Sequence, residues 1–327
     1  MPTPTGGDIY VSRPLTNVSI AYFQDDQDFI ADTVFPPVPV QHQYGMYYIY
    51  NKGDWLRTNT QKRAPRTESA GTGWRITTDT FATDVNAIHV DISDQDRANQ
   101  ESPTIDLDRD GTNLITHDIR LRRELDWLQA YFGAGLWANT DQTGAASAAA
   151  DQFIQWNRTS SVPIEDIEAQ RLLIGRKTGK RPNVLIIGPE VYSVFKNHPE
   201  FIERIKYSQK AVLTLDLIAS MLDIDRVVVP NAVETTAAEG SVNEDVTNYI
   251  YGKSALLAYA NPSPSLMQPS AGYTFEWTGY LGAEVRGTRV KKFRMESLAS
   301  DRVEVESAYN FKLISGDLAT FFKTAVQ

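Results

Sequence analysis

Asp106-x-Asp108-x-Asp110-Gly111 is the stretch whose residue types and spacing come nearest to a ligand site, because it matches the first half of a calcium loop. Such a loop needs a bidentate glutamate at its twelfth position, where this chain has His117. The three acids are better explained as negative charge at the start of a helix. His42, His89, His117 and His198 stand far apart, with no HExxH or paired spacing for a metal. Gly71-Thr-Gly73 lacks the third glycine and the strand–helix setting of a dinucleotide loop. A Walker lysine motif and a GxSxG elbow are both absent. Asn17-Val-Ser19 and Asn157-Arg-Thr159 match a glycosylation pattern of little weight in a cytoplasmic product. With 41 acidic residues, any two carboxylates could be imagined as an acid–base pair, and that abundance makes the pairing uninformative. No catalytic residue, metal or cofactor is expected, and the chain reads as a non-enzyme.

The elements around these residues are better organised than the chemistry. In Lys180-Arg-Pro-Asn-Val-Leu-Ile-Ile-Gly-Pro-Glu-Val-Tyr-Ser-Val-Phe-Lys-Asn-His-Pro-Glu-Phe-Ile-Glu-Arg-Ile-Lys206, Val184 to Ile187 is apolar at every position. Such a run predicts a strand covered on both faces. Pro189 suits the first position of a helix whose one face carries Val191, Val194 and Phe195, and Asn197-His198-Pro199 stops it. A helix over 163–177 precedes this motif. A second, Leu213 to Leu222, leads into another buried strand at Asp225–Pro230, giving a compact α/β domain.

The longest helix is expected over 103–132, opened by Ser102-Pro103. Leu107, Leu114, Leu121, Leu125, Leu128 and Phe132 recur at spacings of 7, 7, 4, 3 and 4 and predict one apolar stripe, with Asp118, Arg120, Arg122 and Arg123 opposite. Met46 to Leu56 and Thr72 to Phe81, rich in aromatic and β-branched residues, predict a long two-stranded hairpin around a basic connection. An isolated ribbon of this kind is marginal in water and must lie on something, yet nothing in the sequence names a seat on its own chain. Arg302 to Leu313 alternates as a half-buried strand.

Charge is unevenly spread. From Met46 to Thr78 six basic residues (Lys52, Arg57, Lys62, Arg63, Arg66, Arg75) face two acids, whereas from Asp79 to Asp110 nine acids face two arginines. Oppositely charged segments suit head-to-tail contact between identical subunits. The expected pairing sets those six cations against Asp91, Asp94, Asp96, Glu101 and Asp106 of another copy. Exposed pairs contribute about 0–1 kcal/mol each, so they would fix register more than affinity. The alternative is two solvated charge runs.

At 327 residues the chain can bury a substantial core over two or three domains, and no stretch approaches the roughly 20 apolar residues of a membrane span. Met1 to Gly7 lacks the start of a secretory signal. The absence of cysteine excludes disulfides and fits a reducing cytoplasm. A net charge of −9 argues against a dedicated nucleic-acid binder.

The segment RPN-(four apolar)-GPEVY…HPEFIERIK closely resembles the strand–turn–helix of the axial domain in major capsid proteins of tailed bacteriophages, the Hong Kong 97 capsid fold. The order of the remaining elements extends this resemblance over most of the chain. It implies an α+β fold with an N-terminal arm (1–45), an extended hairpin loop (46–84) and a peripheral domain with a spine helix (85–155). An axial domain (156–290) and a C-terminal return to the peripheral domain (291–327) complete it. The implied function is a shell subunit that self-assembles into pentamers and hexamers of an icosahedral virion around double-stranded DNA, after assembly in the host cytoplasm. The alternative is an encapsulin-like compartment. Implied partners are sister copies, a separate scaffolding protein, a portal, a decoration protein and the packaged DNA, with no membrane. Some members of the family join a loop lysine to an asparagine. Lys52 and Lys62 lie in the right hairpin, but no acceptor asparagine aligns and no cross-link is expected.

Overall fold

The computed structural model describes residues 24–99, 106–139, 141–149, 151–206, 213–238, 240–242, 246–264, 267–281 and 288–327. Strands β1 (Pro37–Val40) and β2 (Tyr44–Tyr50) lead to a one-turn helix α1 (Lys52–Trp55). Then come β3 (Ile76–Ala82), β4 (Asp84–Ser93), α2 (Asp94–Ala98) and the long helix α3 (Leu107–Tyr131). The middle of the chain forms β5 (Gln142–Ala145), β6 (Gln152–Ile154), α4 (Pro163–Thr178), β7 (Val184–Ile187), α5 (Pro189–Asn197) and α6 (Pro199–Ile205). After α7 (Leu215–Met221) follow β8 (Arg226–Val228), β9 (Val233–Glu234), β10 (Asn248–Tyr249), β11 (Ala255–Ala258) and β12 (Gly272–Trp277). Helix α8 (Thr278–Leu281), β13 (Thr288–Met295), β14 (Ser300–Leu313) and β15 (Ala319–Lys323) end the chain.

Two sheets dominate. The six-stranded sheet runs β6-β5-β15-β11-β7-β8. Its central strands are apolar at nearly every position because both faces are covered. On one face α4 to α7 pack through Ile167, Ile174, Val191, Phe195, Phe201 and Ile218. Local chemistry sets these helices: Pro189 opens α5, and the His198 ring accepts a hydrogen bond from the Glu200 amide to cap α6. Gly179, at φ 69°, closes α4 in the left-handed conformation. The other main sheet joins β1, β12, β14, β13 and β4, with the 14-residue β14 as its backbone. The strand expected at 302–313 thus starts two residues earlier and pairs along ten positions with β4.

Helix α3 bridges the sheets. Asp106 caps it, accepting hydrogen bonds from the amides of Asp108 and Arg109 at 3.2 Å; the expected start at 103 lies outside the described residues. Its first half packs Ile115 and Ile119 with Val303 and Val305 of β14; its second half places Trp127 and Tyr131 in the core that also holds Ile186 and Leu256 of the six-stranded sheet, while the Tyr131 hydroxyl donates to the Tyr273 carbonyl of β12 at 2.9 Å. The fully buried stripe is Ile115, Ile119, Trp127 and Tyr131; of the expected stripe Phe132 is buried, Leu121, Leu125 and Leu128 are half-buried against the same core, and Leu114 is 60% exposed. Arg123, expected on the solvent face, is buried, as is Glu124.

The ends of the chain also differ from expectation. Residues 1–23 of the expected arm lie outside the described residues. Beyond them, Ile30, Ala31, Val34 and Phe35 are buried in the chain's own core, and β1 runs parallel to β12. The final strand β15 joins not the β14 sheet but the six-stranded one, between β5 and β11. Its Phe321 and Phe322 insert on opposite faces, one into each core. Among the described residues no helix is long and apolar enough to cross a membrane.

Candidate assembly surface

Strands β2 and β3 pair antiparallel from Tyr44–Ala82 to Tyr50–Ile76, forming a ribbon separate from both large sheets. Alternation along the strands gives it two faces. Inward, Phe81 stacks on Phe275 of β12 at 4.2 Å, and Tyr47 lies 5.9 Å from the same ring. Gly45 faces Phe81, and an added Cβ there would sit 2.5 Å from the ring, so any side chain at 45 would push the ring from its place across the ribbon. The Tyr47 hydroxyl donates to Asp79 at 2.7 Å, and Lys312 of β14 reaches Asp79 at 3.0 Å. These partners hold the Asp79 carboxyl below its ordinary range. At the far end Lys52 pairs with Asp317. The expectation that the hairpin has no seat on its own chain is thus corrected: Phe275, Lys312 and Asp317 support its inner face.

Among the described residues the outer face has no such support. Tyr44 (69% exposed), Met46 (71%) and Tyr48 (64%) line it, opposite Ala82, Thr80 and Thr78, and Ile76 is 46% exposed beside them. Trp55, Leu56 and Trp74 add exposed apolar surface where the hairpin opens into its loop. Single exposed apolar side chains are ordinary, but a contiguous strip on a two-stranded ribbon marks a surface awaiting a partner.

Between Leu56 and Arg75 the chain forms an exposed loop with an open hollow of about 470 Å³, lined in part by Trp55, Arg57, Asn59, Thr72 and Trp74. The expected cations sit here. Arg75 closes the loop base on Asp54 at 3.1 Å and pulls that carboxyl below its usual range. Arg63 donates to the Thr67 carbonyl. Arg57, Lys62 and Arg66 make no ion pair among the described residues.

The expected acids lie elsewhere and are mostly engaged within the chain. Asp91 is held by Arg302 at 2.7 Å and Asp94 by Arg294 at 2.5 Å, each carboxyl lowered by its arginine. Asp96 accepts from the Ser93 hydroxyl at 2.6 Å, and Asp106 caps α3. Glu101 lies outside the described residues. Of the calcium-like trio, Asp108 bonds Arg97 at 2.6 Å and Lys292 at 2.8 Å. These pairings depend on the β4–β14–β13 register, which no spacing in the sequence reveals.

Comparison with known proteins agrees with this architecture. Residues 144–252, much of the six-stranded sheet and its helices, match the family Phage major capsid protein E. The major capsid protein of Burkholderia phage BcepMu is 28% identical over 308 residues, covering 89% of this chain and 90% of that protein. A phage-related protein from Bordetella bronchiseptica RB50 superposes with a TM-score of 0.67 at 23% identity, over 92% of this chain and 94% of that one. The mature capsid of bacteriophage PhiM1 gives 0.56 at 12% identity, over 98% of each chain. The chain has the Hong Kong 97-type capsid fold, and the resemblance read from its sequence to phage major capsid proteins holds.

Proposed function

We infer that this chain is the major capsid protein of a phage, a structural shell subunit. The observation that carries the reading is the outer hairpin face, a strip of Tyr44, Met46 and Tyr48 that the described residues leave bare although they seat the inner face. Together with the capsid fold, this supports subunits that complete one another by laying hairpins on neighbours. The finer picture is part of the proposal: pentamers and hexamers closing an icosahedral shell around double-stranded DNA, with a separate scaffolding protein, a portal and a decoration protein as partners. Loop cations Lys52, Arg57, Lys62, Arg63, Arg66 and Arg75 would set register against Asp91, Asp94, Asp96, Glu101 and Asp106 of a sister copy. Arg57, Lys62 and Arg66 are the freest to do so, because the others already have intrachain partners.

Interfaces of permanent assemblies bury about 2,000–5,000 Å² each, and a subunit held by several neighbours sums modest contacts through effective concentration. An encapsulin-like compartment is the alternative on the same fold. The family match and the BcepMu relative are both phage capsid proteins and support the phage reading. Negative-stain microscopy of the expressed protein tests it: closed polyhedra, tubes or rings are expected. A monodisperse monomer at micromolar concentration would overturn it.

A further inference from the structure

The segment from Gln24 to Val40 touches both halves of the molecule. Toward α3, the Ile30 amide donates to Glu124 at 3.0 and 3.1 Å and the Ala31 amide at 2.9 Å, while Asp32 pairs with Arg123 at 2.6 Å. Phe35 packs on Trp127 and Tyr131, with ring centroids 6.0 and 4.7 Å away. Toward the six-stranded sheet, Arg226 of β8 donates to the carbonyls of Thr33 and Val34 at 3.0 and 3.1 Å. Asn231 donates to Asp28 at 3.2 Å, and Gln24 exchanges two hydrogen bonds with Val233 of β9. Tyr251 completes the join by donating to Glu124 from the sheet side. Beyond this, β1 enters the other sheet beside β12.

We propose that residues 24–40 are a releasable strap that sets the angle between the helix-and-sheet half built on β14 and the half built on the six-stranded sheet, with Glu124 as its clasp. Three features distinguish a strap from ordinary core. The buried positions of α3 are apolar except where the strap crosses, and there they are Arg123 and Glu124, groups that water can satisfy once the strap lifts. Asp32, which shares Arg123 with the buried Glu276 of β12, is itself 67% exposed, so solvent reaches the edge of the clasp and Arg123 keeps a partner when the strap lifts. The fit is also incomplete. A cavity of about 130 Å³ opens between Phe29, Asp32, Thr33, Arg120, Arg123 and Glu124, and the Arg123 Nε has no partner among the described residues. A contact with charged groups at its centre and a cavity beside it, whose apolar part is confined to Ile30, Ala31, Val34 and Phe35, is suited to local opening between the two sheets. This concerns the subunit alone and stands whatever the subunit assembles into.

The chain has no cysteine, so spin labels can be placed on Asn113→Cys in α3 and Ser193→Cys in α5 without side reactions. The unaltered background should give one narrow label–label distance. In Glu124→Ala, the Ile30 and Ala31 amides should exchange about tenfold faster or more, because each loses a charged acceptor. Amides of β7 and β11 should stay protected, and a second label–label distance should appear. Arg226→Met frees the strap from the opposite side and should populate the same second distance. The proposal is overturned if both variants keep a single distance while residues 30–31 exchange faster. Loss of protection throughout the chain in step with residues 30–31, in both variants, would also overturn it, since the segment would then be inseparable core.

Discussion

Placing aspartate at Met46 and Tyr48 together tests the role assigned to the outer hairpin face. Both side chains are about two-thirds exposed in the single subunit. Fully burying a side chain of this size contributes about 1.5–3 kcal/mol, so covering the exposed part of each contributes about 1–2. Losing both removes about 2–4 kcal/mol per contact, on the order of 30- to 1,000-fold in association constant. Desolvating the new carboxylates would add to that. The subunit's own fold should be indifferent, because neither residue packs inward; surface changes of this kind stay within about ±0.5 kcal/mol. Sedimentation velocity across subunit concentrations would show assembly displaced to much higher concentration, with an unchanged denaturation midpoint. If the double variant assembles at the same concentration as the unaltered chain, the hairpin face is not an assembly surface.

Four further outcomes follow from the geometry. Gly188→Ala places a Cβ 1.8 Å from the Gly252 carbonyl oxygen, a backbone atom, so it should cost about 3 kcal/mol or more, read from urea midpoints. Glu306 is buried, which alone would raise its pKa, but Lys291 and Arg289 bring it down to about 2. Its stabilising contribution is therefore present above the ordinary 4.5 and should be lost as pH falls toward 2; Glu306→Gln should flatten thermal stability over that window. Glu124 runs the other way: burial raises its pKa above 4.5, so the folded chain holds that proton more tightly than the unfolded chain. Stability from this group should decline as pH climbs from 4.5 through the raised value, and Glu124→Gln should remove that part of the slope in denaturant melts. Reversing Arg57, Lys62 and Arg66 to glutamate should slow assembly and reduce its dependence on salt, followed by light scattering at 50 and 300 mM salt, with the subunit's melting temperature unchanged.

The readable parts of this fold were those with local causes. Val184–Ile187 and the Gly188-Pro189 and His198-Pro199 breaks place β7 and α5 within a residue of where they lie, because caps and prolines act on their immediate neighbours; α6, which Pro199 opens, was not expected. The failure on α3 had a definite origin. Its leucines repeat as well as its isoleucines and aromatics, and only distant partners decide that Arg123 and Glu124 turn inward: Asp32 and Glu276 for the first, the Ile30 and Ala31 amides and Tyr251 for the second. Strand β15, five residues within Ala319–Lys323, is too short to announce which sheet takes it. The hairpin and its loop cations were legible as a basic ribbon. The seat at Phe275 was not, since it joins residues nearly 200 positions apart.

One consequence of α3 lies in its proportions. A helix of 25 residues is about 37 Å long; this one lies on the β14 sheet along its length and also enters the core of the six-stranded sheet at its Trp127–Tyr131 end. A tilt of roughly 5° about one end would sweep the other end through about 3 Å, the width of a side-chain contact. Helix α3 is thus long enough for so small a tilt to change neighbours at its Asp106 end, where Arg97, Asp108 and Lys292 interlock.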